Sequence, residues 1–304
     1  MADWTASDIP PQTGRIAVVT GTGGLGYEDA LALACAGAEV IVAGRNPIKG
    51  ADAVARIGAA APRAEVRFEQ LDLASLASVA AFSNRFLARY GRLDLLINNA
   101  GVMVPPQRQQ TEDGFELQLG TNYLGHFALT GRLLPLLRST AGSRVVTLSS
   151  VAARSGAIDF ADINATTHYR PMPVYSQSKL ACLIFALELQ RRSDSGGWGI
   201  TSIGAHPGIA RTDLLHNAPG RWSAAGLTRS LLWFLFQPVA QGALPTLFAA
   251  TSPEATPGGY YGPGSLGETR GAPAVARTPP QALDAAAAKR LWDLSEELTG
   301  IRFD

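Results

Sequence analysis

Two patterns of hydrophobic and polar positions alternate along the first two-thirds of the chain. Longer amphipathic stretches predict helices at 24–36, 49–59, 76–90, 113–138 and 173–193. Short apolar, β-branched runs predict strands at 16–20, 40–43, 66–71, 93–98, 144–149 and 199–205. This alternation is typical of a parallel sheet with helices on both faces. It continues to residue 206 without a linker, so we expect one doubly wound α/β domain over 1–304.

The last third of the chain gives sparser signals. Gly and Pro punctuate 207–239, and a short helix is predicted near 240–250. We expect a last strand at 259–261, Pro- and Gly-rich turns around 262–280, and a final helix at 281–298. The sheet would then have about seven strands.

Composition excludes several classes of protein. Apolar residues make up 46% of the 304 residues and charged residues 17%, which excludes a wholly disordered chain. The 26 Lys+Arg against 25 Asp+Glu leave a net charge of +1, so we expect no nucleic-acid partner. Cys35 and Cys182 lie in apolar, helical stretches, which favours buried thiols over a disulfide framework. The four histidines show no metal-ligand spacing, so we expect no metal.

The sequence also indicates a location. The first residues lack a basic segment followed by an apolar core, so we expect no signal peptide. The densest apolar run, 231–236, is far shorter than a membrane span. We therefore predict a soluble, cytoplasmic protein.

A glycine-rich motif follows the first predicted strand. Gly21-Thr22-Gly23-Gly24-Leu25-Gly26 matches G-x-G-x-x-G between that strand and the first helix. Glycines let the backbone turn tightly and approach a pyrophosphate, which the N–H groups and dipole of the helix N-terminus stabilise. The motif predicts a dinucleotide site, and a tight turn without a ligand is the alternative.

The end of the second strand bears on which dinucleotide is bound. An acidic side chain there would accept hydrogen bonds from the ribose 2′-hydroxyl of NAD, but Gly44 and Arg45 stand at this point. The planar guanidinium of Arg45 suits a 2′-phosphate. We therefore expect NADP(H) to be preferred, with NAD(H) possible and a solvated surface arginine as the alternative role for Arg45.

Tyr175 and Lys179 form a candidate catalytic pair. Their i, i+4 spacing places them one turn apart on one helix face. An ammonium beside a phenol favours the phenolate, and such a tyrosine can donate or accept a proton at a substrate oxygen. A solvated pair on the helix surface is the alternative.

Polar residues end three further predicted strands: Ser149-Ser150, Asn98-Asn99-Ala100-Gly101, and His206-Pro207-Gly208. Each could be an ordinary turn. Ligands of open α/β sheets bind at the carboxyl ends of the strands, where these groups and the candidate pair would converge.

Together these motifs resemble the short-chain dehydrogenase/reductase family over nearly the whole chain. Within it the sequence resembles the retinol-dehydrogenase-like and protochlorophyllide-reductase-like branch. The resemblance is carried by the glycine-rich loop, Asp72, Asn98 to Gly101, Gly120-Thr121-Asn122-Tyr123-Leu124-Gly125-His126-Phe127, Ser150, Tyr175-x-x-x-Lys179, and Pro207-Gly208 with Thr212.

The resemblance implies a Rossmann-type fold and an NADP(H)-dependent oxidoreductase that interconverts ketones and secondary alcohols. Ser150 would hold the substrate oxygen, Tyr175 would exchange its proton, and Lys179 would bind the nicotinamide ribose. Asn122 would hold a water that relays protons toward Lys179. The cofactor would lie against Gly21, Gly23, Gly24, Leu25, Gly26, Arg45, Asp72, Leu73, Asn99, Ala100, Gly101, Tyr175, Lys179, Pro207, Gly208, Ile209 and Thr212.

One departure from the family pattern concerns the glycine-rich loop. The family reads T-G-x-x-x-G-x-G, whereas the loop from Thr20 to Gly26 is one residue shorter. A missing residue changes which N–H groups face the phosphates and removes a position near the adenosine ribose. A non-catalytic nucleotide-sensing or scaffold protein with the same fold is therefore the alternative function.

The apolar segment 213–237 is the candidate substrate lid. Its leucines, tryptophans and phenylalanines favour a bulky hydrophobic ketone or alcohol as substrate. Packing on the core, a subunit contact or a membrane-surface contact are the alternatives. The resemblance also implies a homodimer or homotetramer.

Overall fold

A single twisted sheet of eight strands runs through the computed structural model, which describes residues 4–210 and 237–304. The strand order is β3-β2-β1-β4-β5-β6-β7-β8. The first seven strands are parallel, and β8 pairs antiparallel with β7. The strands are β1 (Ile16–Thr20), β2 (Glu39–Gly44), β3 (Val66–Gln70), β4 (Leu95–Asn98), β5 (Arg144–Leu148), β6 (Thr201–Ala205), β7 (Tyr260–Ser265) and β8 (Arg270–Val275).

Helices cover both faces of this sheet. Short 3₁₀ helices cover Ala6–Asp8 and Val151–Ser155, and a π-helix covers Leu119–Leu124. The α-helices are α1 (Gly24–Cys35), α2 (Pro47–Ala60), α3 (Leu76–Arg89), α4 (Gly125–Ser139), α5 (Pro171–Gly196), α6 (Val239–Thr251), α7 (Pro280–Leu283) and α8 (Ala285–Thr299).

Alternate residues of the central strands enter two separate cores. In β1, Val18 faces the layer of α3, α4 and α5, whereas Ala17 and Val19 face α1 and α6. The first core contains an aromatic cluster in which Phe127 and Trp292 have ring centroids 5.2 Å apart. Burial on both faces fixes the register of each strand, and therefore which residues emerge at its carboxyl end.

The predicted Rossmann-type α/β fold is confirmed, but the strand count is one too low. The expected turns around 262–280 contain most of β7 and all of β8. Pro263 lies opposite Pro273 in this hairpin. Pro273 lies in β8, which is an edge strand and has a neighbouring strand on one side only. Proline has no N–H to donate, but an edge strand tolerates this, so Pro273 does not exclude a strand.

Two helix predictions and one cysteine prediction are also corrected. The predicted helix 113–138 starts too early: Glu116 forms an isolated antiparallel bridge with Gln110, and the later residues form the π-helix followed by α4. The predicted final helix divides at Asp284, which caps Ala286 and Ala287 of α8. Cys182 is buried as expected. Cys35 is exposed because it lies outside the stripe of buried residues along α1, which ends with Leu33 and Ala34.

Within residues 4–210 and 237–304, no helix is long and apolar enough to cross a membrane. The same residues hold no group of three or more His, Cys, Asp or Glu side chains arranged to bind a metal ion.

Candidate active site

A cavity of about 540 Å³ opens at the carboxyl ends of the strands. It lies where the strand order reverses between β1 and β4, the point at which open α/β sheets bind ligands. The predicted site residues that line it are Gly21, Gly23, Gly24, Leu25, Arg45, Asp72, Leu73, Asn99, Ala100, Gly101, Tyr175, Lys179 and Pro207.

Other predicted site residues lie behind or beside this cavity. Gly26, Asn122, Ser150, Gly208 and Ile209 are not among its lining residues. Thr212 and all of the predicted lid segment 213–237 except Gln237 lie outside the described residues.

Two glycines of the glycine-rich loop, Gly21 and Gly26, pack so closely against Asn99 that neither position has room for a side chain. A Cβ on Gly21 would lie 2.7 Å from Nδ2 of Asn99, and a Cβ on Gly26 would lie 2.5 Å from the same atom. That Nδ2 donates a hydrogen bond to the carbonyl of Thr20 (2.7 Å). Gly26 therefore brings α1 close to the end of β4 and has no need to touch a ligand.

Helix α1 begins at the cavity with Gly23 as its N-cap. Gly23 has no side chain, so no side-chain oxygen caps the first N–H groups of α1. These groups and the positive end of the helix dipole can bind an anion at the cavity wall. Gly21, with φ at 106°, makes the left-handed turn that leads into this N-terminus.

Tyr175 and Lys179 reach the cavity from the first turns of α5. Both are nearly buried, with 7% and 6% of their surfaces exposed. The Nζ of Lys179 donates to the carbonyl of Leu148 at the end of β5 (3.1 Å). This bond uses one of three ammonium protons, so Lys179 is held in place while still able to donate to a ligand.

The paired serines after β5 make different hydrogen bonds. Ser149 donates its hydroxyl proton to the carbonyl of Lys179 (2.7 Å). Ser150 caps the 3₁₀ helix, its Oγ accepting from the N–H of Ala152 (3.2 Å). The Ser149 proton is committed to α5, whereas the bond at Ser150 leaves its hydroxyl proton available to a substrate oxygen.

Asn122 lies in the π-helix and locks the loop after β4. Its Oδ1 accepts from the N–H of Val102 (2.7 Å), and its Nδ2 donates to the carbonyl of Val102 and to Ser178 (3.0 Å each). A Cβ on Gly101 would lie 2.9 Å from Oδ1 of Asn122 and 3.6 Å from Nζ of Lys179. The side chain of Asn122 thus positions the cavity wall beside Lys179, and its water-relay role stays a prediction.

A buried histidine joins this π-helix to the strand ends. Nδ1 of His126 lies 2.9 Å from the carbonyl oxygen of Asn122, and Nε2 lies 2.9 Å from Oγ1 of Thr20. A carbonyl oxygen only accepts, so Nδ1 carries the proton and Nε2 is an acceptor. The one hydroxyl proton of Thr20 lies within hydrogen-bond distance of both Nε2 (2.9 Å) and the Ile97 carbonyl (3.2 Å). The Thr20 oxygen in turn accepts from the N–H groups of Asn99 and Ala100 (2.9 Å each). Burial lowers the pKa of His126 to about 4, which keeps the ring neutral.

Arg45 and Lys49 place two positive charges at the β2 end of the cavity. Arg56 also lines the cavity, but it pairs with Asp52 (3.6 Å) and lies over the ring of Tyr27. Within the described residues neither Arg45 nor Lys49 forms an ion pair. Both can therefore meet an anionic group of a ligand.

Lys49 lines the cavity but was not among the predicted site residues, and the predicted helix began two residues later than α2. Asn46 caps this helix through the N–H groups of Ile48 and Lys49, and Pro47 occupies its first position. These N-terminal signals place Lys49 in the first turn, close to Arg45. Thr22, Asn46 and Thr121 were also missed and line the same cavity.

The hairpin of β7 and β8 supports the turn after β6. Nδ1 of His206 accepts from the N–H of Gly208 (3.2 Å), and Nε2 donates to Glu268 (2.9 Å). Glu268 also pairs with Arg154, beside the 3₁₀ helix that Ser150 caps. The N–H of Ile209 donates to the carbonyl of Thr269 (2.9 Å). The hairpin thus holds two walls of the site together.

Comparison with known proteins agrees with this architecture. The family model described as short chain dehydrogenase matches residues 15–221. Polyprenol dehydrogenase of Mus musculus is 45% identical over 257 residues, covering 83% of this chain and 76% of the relative. Retinol dehydrogenase 14 of Mus musculus is 38% identical over 301 residues, covering 95% of this chain and 86% of the relative.

A solved structure extends the comparison to the whole fold. The crystal structure of an uncharacterized protein from Mycobacterium paratuberculosis superposes with a TM-score of 0.83 at 37% identity, and the match covers 100% of each chain. The predicted resemblance to the retinol-dehydrogenase-like branch is confirmed. The chain belongs to the short-chain dehydrogenase family, oxidoreductases that act on CH–OH groups with a nicotinamide cofactor.

Proposed function

We propose that the protein is an NADP(H)-dependent oxidoreductase for a bulky hydrophobic ketone or secondary alcohol. The observation that carries the proposal is one cavity with an acid–base pair, Tyr175 and Lys179, at one end. At the other end are Arg45 and Lys49, two cations that form no ion pair with any described residue. NADP(H) bound along such a crevice would place its nicotinamide near the acid–base pair and its 2′-phosphate near the two cations.

The residues present fit this cofactor. The uncapped N-terminus of α1 suits the pyrophosphate, and Asp72 and Leu73 line the wall where adenine would bind. The guanidinium of Arg45 and the ammonium of Lys49 suit the 2′-phosphate. No carboxylate stands at residue 44 to accept from a 2′-hydroxyl.

When bound, the nicotinamide supplies or accepts the hydride. The chain supplies orientation and proton transfer. Tyr175 donates its hydroxyl proton to the substrate oxygen in reduction and takes it back in oxidation. The ammonium of Lys179, anchored on Leu148, stabilises the phenolate that forms. Ser150 holds the substrate oxygen with its available hydroxyl proton.

Two observations support a hydrophobic substrate. The two murine relatives are named for polyprenol and retinol, both long apolar alcohols. In this chain the sequence from 213 to 237 is rich in Leu, Trp and Phe. An apolar segment of this kind favours a bulky apolar substrate.

The first test is a fluorescence titration of the purified chain with NADPH and, separately, NADH. We expect NADPH to bind at least tenfold more tightly, because Arg45 makes charge-assisted contacts to the 2′-phosphate. Arg45→Ala should weaken NADPH binding by about 10- to 100-fold and leave NADH nearly unchanged. Lys289→Ala, which removes an exposed charge in α8, is the control. Equal effects on both cofactors would refute the role of Arg45.

The second test addresses chemistry. Tyr175→Phe removes only the hydroxyl group, so we expect turnover of hydrophobic ketones to be abolished while NADPH binding stays within about threefold. Retained turnover would mean that another group supplies the proton. If the unaltered chain binds neither cofactor, the non-catalytic scaffold function replaces this proposal.

A further inference from the structure

The loop after β1 and the end of β2 interlock at Thr22 and Gly44. A Cβ on Gly44 would lie 2.6 Å from Cγ2 of Thr22, whereas Cβ and Oγ1 of Thr22 would both be 3.8 Å away. The N–H of Gly21 donates to the carbonyl of Ala43 (2.7 Å), which ties the loop to β2 beside this contact. The methyl group of Thr22 therefore fills the space that any side chain at residue 44 would need.

Backbone conformation does not explain the glycine at this position. Gly44 belongs to a regular strand, and it is not among the residues with positive φ. Any residue could adopt its dihedral angles. The contact with the single Thr22 methyl group is thus what requires glycine here.

The Thr22–Gly44 contact lies at the end of β2, where proteins of this fold distinguish the 2′-hydroxyl of NAD from the 2′-phosphate of NADP. A carboxylate at the carboxyl end of the second strand is the group that accepts from the 2′-hydroxyl of NAD. Thr22, Gly44, Arg45 and Lys49 all line the cavity. With this space filled by the Thr22 methyl group, residue 44 presents no carboxylate, and Arg45 and Lys49 are the cations at this end of the cavity without an ion pair among the described residues.

We infer that the Thr22–Gly44 contact is a specificity-determining interlock that keeps an acidic side chain from the end of β2. The inference rests on the proposed NADP(H) preference. A side chain at residue 44 would push the loop outward, and Gly23 and Gly24, which begin α1, would move with it. The interlock therefore couples the choice of cofactor to the position of the N–H groups at the pyrophosphate.

The test is a double-mutant cycle with dissociation constants for NADPH and NADH on the full chain. The variants are Gly44→Asp, Thr22→Ser and the two together. Thr22→Ser removes Cγ2 and keeps the hydroxyl. We expect Gly44→Asp alone to weaken both cofactors. Adding Thr22→Ser should tighten NADH binding by about tenfold or more, the factor expected of a hydrogen bond to a charged group.

The inference is overturned if the two substitutions affect cofactor binding independently of each other. If Thr22→Ser changes NADH binding by the same factor with glycine or aspartate at residue 44, the two residues do not interlock. The same holds if Gly44→Asp alone binds NADH tightly, since the methyl group would then exclude nothing.

A second pair of variants, Gly44→Ala with and without Thr22→Ser, tests the contact even if Gly44→Asp does not fold. The same pair distinguishes a failure of this inference from a failure of the proposed function. Gly44→Ala should weaken binding of whichever cofactor the chain prefers, and Thr22→Ser should restore it. Restored binding in a chain that prefers NADH would refute the NADP(H) proposal and support the steric contact alone. A Gly44→Ala chain that binds its cofactor normally would refute the contact itself.

Discussion

Asp29, in α1, is a carboxyl group that has no hydrogen-bond partner among the described residues. It is fully buried, and within the described residues neither of its oxygens has a hydrogen-bond partner. Burial raises its pKa well above the usual value, and the nearby charge of Glu28 adds to this shift. Asp29 is therefore protonated in the folded protein at pH values where it is ionised in the unfolded chain.

The sign and size of the effect follow from proton linkage. Between about pH 4 and the raised pKa, the folded state binds one proton more than the unfolded state. The free energy of unfolding then falls by about 1.4 kcal/mol for each pH unit in that window. The stabilising contribution is complete below the unfolded pKa and is lost as the pH rises. The unmade hydrogen bonds cost about 1–3 kcal/mol in addition.

Asp29→Ala removes both penalties. At pH 7 we expect the variant to gain about 1–3 kcal/mol from the unmade hydrogen bonds. It should also gain about 1.4 kcal/mol for each pH unit above about 4 over which folded Asp29 stays protonated, and it should lose the slope that Asp29 produces. Urea unfolding at pH 5, 6, 7 and 8 measures both quantities. Asp29→Asn is the matched control: it cannot ionise, so it loses the slope, but it keeps a buried polar group without partners.

Glu28 must be separated from this effect. Burial also raises the pKa of Glu28, and the charge of Arg56 opposes that shift. A slope shared by both Asp29 variants is assigned to Glu28 and should disappear in Glu28→Gln. The reasoning is refuted if Asp29→Ala keeps the wild-type slope, or if it is less stable than wild type at pH 7.

Two further predictions concern residues around the cavity. His126→Phe removes one hydrogen-bond partner of Thr20 Oγ1 and one of the Asn122 carbonyl, so it should lower the unfolding free energy by about 1–3 kcal/mol and weaken NADPH binding. Urea unfolding and fluorescence titration measure these effects, and no change in either would contradict the network. Glu268→Gln should cost about 1–2 kcal/mol at pH 7. Its hydrogen bond with His206 lowers the pKa of Glu268 to about 2, so the stability gap to wild type should be complete above about pH 4.5 and close as the pH falls toward 2. Urea unfolding at pH 7 and pH 3 measures the gap, and an equal gap at both would contradict the assignment.

The sequence predicts the central strands well because β1, β2, β4, β5 and β6 are buried on both faces. Such strands appear as short, nearly continuous apolar runs, and β1 begins and ends where the pattern predicts. The edge hairpin was missed because β8 has one exposed side and contains Gly271 and Pro273, which in isolation indicate turns.

The candidate site is predicted to the extent that its residues lie at strand ends or in short motifs. The π-helix around Asn122 leaves no sign in the hydrophobic pattern, since all of its residues are buried. The different roles of Ser149 and Ser150 could not be predicted, because Ser149 donates to the carbonyl of Lys179 in α5, a helix distant in sequence. Cytoplasmic location and subunit association stay predictions.

The order of the strands has a consequence for how the chain assembles. Along the sheet, every neighbouring pair of described strands is consecutive in sequence except β1 and β4, where Ala17 lies opposite Leu95. The chain between Ala17 and Leu95 is longer than the chain between paired residues of the β1–β2 or β4–β5 pairs. Closing this longer loop therefore costs more conformational entropy. We expect two halves, β1–β3 and β4–β8, to form separately and to join late at this seam. The cavity lies across the seam, so a bound dinucleotide would hold the halves together and slow their separation.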